Sequence, residues 1–148
     1  MVLAADTCNG RRRALEHFEW GEECSVDVPQ LDAQHHEIIE LLGELRRCAR
    51  GGESDTLVAA ALEKVTRYAQ WHLEREELIL RVRGYPGYAE HWAEHEAYRE
   101  KVASMRARPD RRDLGIRIAN FLDEWWKHHI LIVDQQYARF FRRQSTNR

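Results

Sequence analysis

Four stretches of this 148-residue chain repeat apolar residues at helical spacing, and each carries at least one histidine on its apolar stripe. From about Leu31 to Ala49 the stripe is His35, Ile38, Ile39, Leu42 and Leu45, stopped by Gly51-Gly52. A second helix is expected to start at Ser54, a good cap residue, and to run through Leu57, Ala61, Val65, Tyr68, His72, Glu76 and Ile79 until Gly84. Beyond the turn Gly84-Tyr85-Pro86-Gly87, a third stripe holds Tyr88, His91, His95, Tyr98, Val102 and Met105 and ends before Pro109. Asp110 or Asp113 can cap a fourth helix with Leu114, Ile118, Phe121, Leu122, Trp125, His129 and Val133 inward. Short connections favour antiparallel neighbours, so the expected fold is all-α: an up-down-up-down four-helix bundle over 31–142 behind a non-helical arm, 1–30. The length suits one domain.

Histidines on core stripes of four helices must meet in the middle of the bundle. His72 with Glu76, and His91 with His95, are four apart, so each pair presents two donor atoms to one place. His129 and Asp134 are five apart, roughly 140° around an ideal helix. Either the helix widens or ends there, or the aspartate reaches around. With His35 the set is five imidazoles and two carboxylates, more than one zinc ion takes, so two metals are implied. Imidazole and carboxylate without thiolate suit iron, manganese, zinc or copper, and a carboxylate can give one oxygen to each of two ions. Seven residues, two of them bridging, and one shared oxo or hydroxo oxygen leave one position open on a six-coordinate pair.

Composition removes other functions. The formal net charge is −2, without the concentrated basic surface that nucleic acid or an anionic membrane requires. Arg11-Arg12-Arg13 and Arg142-Arg143 read as solvated termini. No apolar run approaches the roughly 20 residues of a membrane span, and the start does not read as a secretory signal, so a cytoplasmic protein is expected. Cys8, Cys24 and Cys48 are odd in number and outside any C-x-x-C spacing, as expected of reduced structural thiols.

Several segments together carry a family resemblance: Trp20 with Ser25-Val26, Leu31-Asp32-Ala33-Gln34-His35, His72-Leu73-Glu74-Arg75-Glu76-Glu77, Gly84-Tyr85-Pro86, His91 to His95, and His129-Ile130 with Asp134. Over about residues 20 to 140 the pattern resembles the hemerythrin family, specifically the bacterial hemerythrins, in which the His-x4-Asp spacing is a hallmark. The resemblance implies two non-heme irons with an oxo or hydroxo bridge. His91, His95 and His129 would hold one, His35 and His72 the other, and Glu76 and Asp134 would bridge them. It implies reversible binding of dioxygen at the two-histidine iron, for transport, storage or sensing, by a monomer or weak homo-oligomer that is not an enzyme. Dioxygen is then the ligand, and no protein partner is assigned.

One residue departs from the family. Three positions before the last ligating histidine an aliphatic side chain is usual, and here stands Trp126, expected to narrow the pocket or to donate its N–H to a bound ligand. His17, His36 and His128 have no slot in the pattern, and Tyr68, Tyr98, Trp71 and Trp92 read as packing residues rather than electron relays. The segment His91-Trp92-Ala93-Glu94-His95 also matches the H-x-x-E-H signature of inverted zinc peptidases, but that reading leaves the other five ligand-type residues unexplained. Ferritin-like di-iron enzymes need Glu-x-x-His, and no histidine here has a glutamate three residues before it. Iron-sulfur repair proteins use His-x3-Glu where this chain has His-x4-Asp. The remaining alternatives use the same site: a peroxidase, a nitric oxide reductase, or a sensor that moves the arm before Trp20.

Overall fold

The computed structural model describes residues 18–107 and 113–147, and among these there are helices and turns but no strand. Helix α1 spans Pro29–Arg50, α2 Asp55–Val82, α3 Tyr88–Arg106 and α4 Leu114–His128. A five-residue π-helical turn, His129–Val133, joins α4 without a break to α5, Asp134–Thr146. The last three elements form one long rod, so the architecture is the expected four-helix bundle. Helix α1 packs most extensively on α2 and also along α4, while α3 closes the other side against α2 and α4.

Local chemistry explains most boundaries. Pro29 occupies the first turn of α1, where its missing N–H has no role. Ser54 caps α2 by accepting the Leu57 N–H at 3.3 Å. Gly84, at φ +67°, ends that helix in a left-handed turn, with Gly84 N–H donated to Arg81 O and Tyr85 N–H to Leu80 O. A side chain at Gly84 would be strained whatever the space around it. The expected cap of α4 is different. Asp113 precedes the helix in a left-handed conformation and makes no side-chain cap bond, while Asp110 and Pro109 lie outside the described residues.

The π turn answers the five-residue spacing. The Asp134 N–H bonds to His129 O, five residues back, which widens the helix by one residue and returns Asp134 to the face of His129. Of the alternatives left by the spacing, widening is the one adopted. The arm is strapped to the same region. Asp32 accepts from Ser25 Oγ at 2.7 Å and from the Val26 N–H at 2.8 Å, and Gln135 Nε2 donates to Glu23 O and Ser25 O, both at 3.2 Å. Arg142 is not merely solvated, because it pairs with Asp27. Arg11-Arg12-Arg13, Cys8 and His17 lie outside the described residues.

Two apolar clusters fill the bundle, and a polar layer divides them. The larger contains Ile38, Leu42, Leu45, Val65, Leu73, Ile118, Leu122, Trp126 and Ile130. The smaller contains Val26, Leu31, Leu80, Tyr137, Ala138 and Phe141. Along α1 the order is Leu31, His35, Ile38, and along the last rod Trp126, His129, Asp134, Tyr137. Each helix therefore passes from one core to the other through its histidine. Far from this layer, Arg46 Nη1 meets Asp123 Oδ2 at 2.5 Å, both residues 8% exposed, and ties α1 to α4.

Asp123→Leu would leave the Arg46 guanidinium buried beside an apolar group, and should lower unfolding stability in denaturant by about 3–5 kcal/mol. The paired Arg46→Met, Asp123→Leu variant should recover most of that loss. A single-variant loss below about 1 kcal/mol, the surface-pair value, would contradict a buried bridge between α1 and α4.

Candidate metal centre

All seven ligand-type residues singled out in the sequence reach the central layer. His35 comes from α1, His72 and Glu76 from α2, His91 and His95 from α3, His129 from the π turn and Asp134 from the start of α5. His91 is 4% exposed and the other six are fully buried. The donor atoms of Glu76, His91, His95 and His129 lie within 4.8 Å of one another, and so do those of His35, His72 and Glu76. Glu76 belongs to both groups.

The two carboxylates are each divided between the groups. Glu76 Oε2 lies 2.9 Å from His91 Nε2, 3.1 Å from His95 Nε2 and 3.8 Å from His129 Nε2. Its other oxygen, Oε1, is 3.9 Å from the Nε2 atoms of both His35 and His72. Asp134 repeats the pattern, with Oδ1 3.0 Å from His129 and 3.5 Å from His91, and Oδ2 3.3 Å from His35. One corner thus gathers three imidazoles and two carboxylate oxygens, the other two imidazoles and two oxygens.

Tautomers show what this layer can hold. His72 Nδ1 donates to Gln34 Oε1 at 2.8 Å, and His95 Nδ1 to Glu77 Oε1 at 2.7 Å. With those nitrogens carrying protons, each ring in its neutral form turns a bare Nε2 lone pair inward. There His72 Nε2 faces His35 Nε2 at 3.1 Å, and His95 Nε2 faces His129 Nε2 at 3.1 Å. Lone pairs and carboxylate oxygens that converge in this way repel unless a proton on the facing nitrogen or a metal ion lies between them. Two nitrogens bound about 2.1 Å from one ion at right angles would be about 3 Å apart, which matches the spacing found. Both Asp134 oxygens are buried without a hydrogen-bond donor, since the 3.0 Å approach to His129 lacks the alignment of one. A buried carboxylate with no donor is strongly disfavoured, so the residues present fit a pair of metal ions.

Electrostatics express the same demand for positive charge. Burial disfavours a charged His129, yet the Asp134 and Glu76 carboxylates outweigh it and push its pKa up to about 10. Burial likewise opposes charge on His95, and Glu76 and Glu77 override it in the upward direction. His72 is driven well down, by burial and then by its neighbour His35. Glu76 is held well below the usual carboxylate range: burial pulls it up, and bonds from His129, His91 and His95 more than compensate.

Several residues that matter here carried little signal in the sequence. Tyr137 donates its hydroxyl to Glu76 Oε1 at 2.7 Å, and burial together with Asp134 and Glu76 holds its pKa well above normal, so it remains a donor. Gln34, Glu77 and Arg99 support the imidazoles from outside, Arg99 Nη2 lying 2.7 Å from Glu77 Oε1. Their only cues are adjacency to a ligand, or one helical turn from it on the same face. Trp126 is fully buried beside the layer, its ring 5.7 Å from that of His72 and 5.9 Å from that of His129. Its N–H goes to Tyr98 Oη at 3.3 Å rather than toward the imidazoles. Trp125 stacks on His129 at 4.3 Å and 13°. His36 and His128 are exposed, as expected. Tyr98 is buried packing, whereas Trp71 and Trp92 are nearly half exposed.

Comparison with known proteins places this geometry. The family model described as hemerythrin HHE cation binding domain matches residues 26–141. A bacteriohemerythrin of Stenotrophomonas maltophilia is 30% identical over 120 residues, covering 80% of this chain and 78% of its own. A bacteriohemerythrin of Pseudomonas aeruginosa is 26% identical over 125 residues, 84% of this chain and 81% of its own. The myohemerythrin of Sipunculus nudus is 28% identical over 120 residues, 81% of this chain and 90% of its own. A match spanning most of the sequence, on a four-helix bundle whose buried histidines and carboxylates converge in one layer, means that the chain belongs to the hemerythrin family.

Proposed function

We propose that this chain is a non-heme di-iron protein that binds dioxygen reversibly and is not itself an enzyme. The observation that carries the reading is the division of both buried carboxylates between two imidazole groups. His91, His95 and His129 would hold one iron, His35 and His72 the other, with Glu76 and Asp134 spanning the two. When bound, such a pair would supply two one-electron donors and, on the two-histidine side, a position for dioxygen.

The chain's own residues then do three things. Gln34 and Glu77 fix the tautomers of His72 and His95, so that Nε2 is free to ligate. Tyr137 holds Glu76 Oε1 from below and keeps the shared carboxylate from rotating. Trp126, Ile38 and Ile130, all fully buried, exclude water from the upper side. Exclusion matters because water in the pocket would open side reactions of the oxygen chemistry that the irons would supply. Of the two roles expected for Trp126, narrowing the pocket is the one its contacts support, since its N–H is engaged by Tyr98.

The direct test is to load the protein with ferrous iron without air, admit oxygen, and follow the visible spectrum through evacuation and re-exposure. A band that appears with oxygen, vanishes under vacuum and returns is expected. A single irreversible conversion would overturn reversible binding and favour an oxidoreductase or redox sensor on the same site.

Trp126→Leu should open the pocket. We expect the rate of air oxidation, and the affinity of the oxidised protein for a small anion such as azide, each to rise about tenfold, the effect of relieving about 1.4 kcal/mol of crowding. Unchanged values for both would remove Trp126 from the ligand pocket.

A further inference from the structure

The two imidazole groups differ in what stands behind them. His72 is backed by a neutral amide, Gln34 Oε1. His95 is backed by a carboxylate, and the same Glu77 oxygen that accepts from His95 Nδ1 at 2.7 Å also accepts from Arg99 Nη2 at 2.7 Å. Arg99 is clamped on every side: Nη1 donates to Glu96 Oε1 at 2.5 Å and Nε to Gln70 Oε1 at 3.0 Å. Its side chain is only 21% exposed, and it opens onto a surface groove of about 350 Å³ shared with Gln70, Tyr98 and Arg106. An unbroken path of contacts thus leads from that groove through Arg99 and Glu77 to His95.

A carboxylate behind a ligating imidazole makes the ring a stronger donor and favours the more highly charged metal. A guanidinium on the same oxygen draws that charge back. At these separations, with little solvent between, neither effect is screened away. We propose that Arg99 is a positioning residue that sets how much of the Glu77 charge reaches His95, and thereby sets the reduction potential of the three-histidine half of the iron pair. This rests on the di-iron reading above. It makes the two halves electronically unequal by construction, one backed by a neutral amide and the other by a carboxylate under partial restraint.

The test is a mediated spectroelectrochemical titration of the iron-loaded protein and of Arg99→Gln, Arg99→Lys and Glu77→Gln, with iron content and melting temperature measured on each. Arg99→Gln should favour oxidised over reduced iron by roughly tenfold, about 59 mV downward for a one-electron step. Glu77→Gln should shift the potential upward. Arg99→Lys keeps the charge but cannot reach Glu77, Glu96 and Gln70 at once, so it should give a smaller downward shift, and it carries the test if Arg99→Gln does not fold. Potentials that stay put, or that move the same way in the Arg99 and Glu77 variants while only melting temperatures fall, would overturn the proposal and leave Arg99 a purely structural clamp. Failure of the unaltered protein to hold two irons would instead overturn the di-iron reading, and the tuning role with it.

Discussion

Two carboxylates fully buried in the middle of a helical bundle are the constraint on which the rest depends. Glu76 and Asp134 have no exposure, and neither Asp134 oxygen has an aligned hydrogen-bond donor. Such groups are tolerated only if positive charge sits between them, as protons on imidazoles or as metal. The five histidines are arranged to accept either. The carboxylates raise the pKa of His129 and His95 against the effect of burial, whereas burial lowers that of His72. Metal binding would therefore be linked to folding, because side chains that converge only in the bundle could gain a shared cation only there.

The polar layer also explains the organisation of the core. It separates a large apolar cluster, topped by Trp126 and Ile130, from a smaller one around Leu31, Leu80 and Phe141. Tyr137 belongs to both worlds, its ring packed in the smaller cluster and its hydroxyl on Glu76. The arm closes that end: Asp32 holds Ser25 and Val26, and Gln135, next to Asp134, holds the arm's carbonyls. A change at the layer is thus mechanically close to the arm, through neighbouring residues on α5.

Much of this was legible in the sequence because helical periodicity and metal ligation impose the same spacing. His72 with Glu76 and His91 with His95 lie on core stripes for the same geometric reason that lets each pair ligate. The spacing of His129 and Asp134 was a conflict for periodicity alone, with a widened helix one of the options, and support through the family resemblance; the π turn resolves it at the level of backbone hydrogen bonds. The supports around the ligands were not legible. Glu77, Gln34 and Arg99 are ordinary polar residues whose partners lie on other helices, 18 to 38 positions away in sequence. At α4 the sequence offered Asp110 or Asp113 as the cap: Asp113 does stand at the N-cap position, but in a left-handed conformation and without a side-chain cap bond, which composition does not encode.

Anomalous diffraction at the iron edge from crystals of the iron-loaded protein tests the central claim most directly. The account predicts two iron peaks per chain, one against His91, His95 and His129 and one against His35 and His72, with Glu76 and Asp134 each giving one oxygen to each peak. A single peak, or two peaks with either carboxylate bound to only one of them, would contradict it.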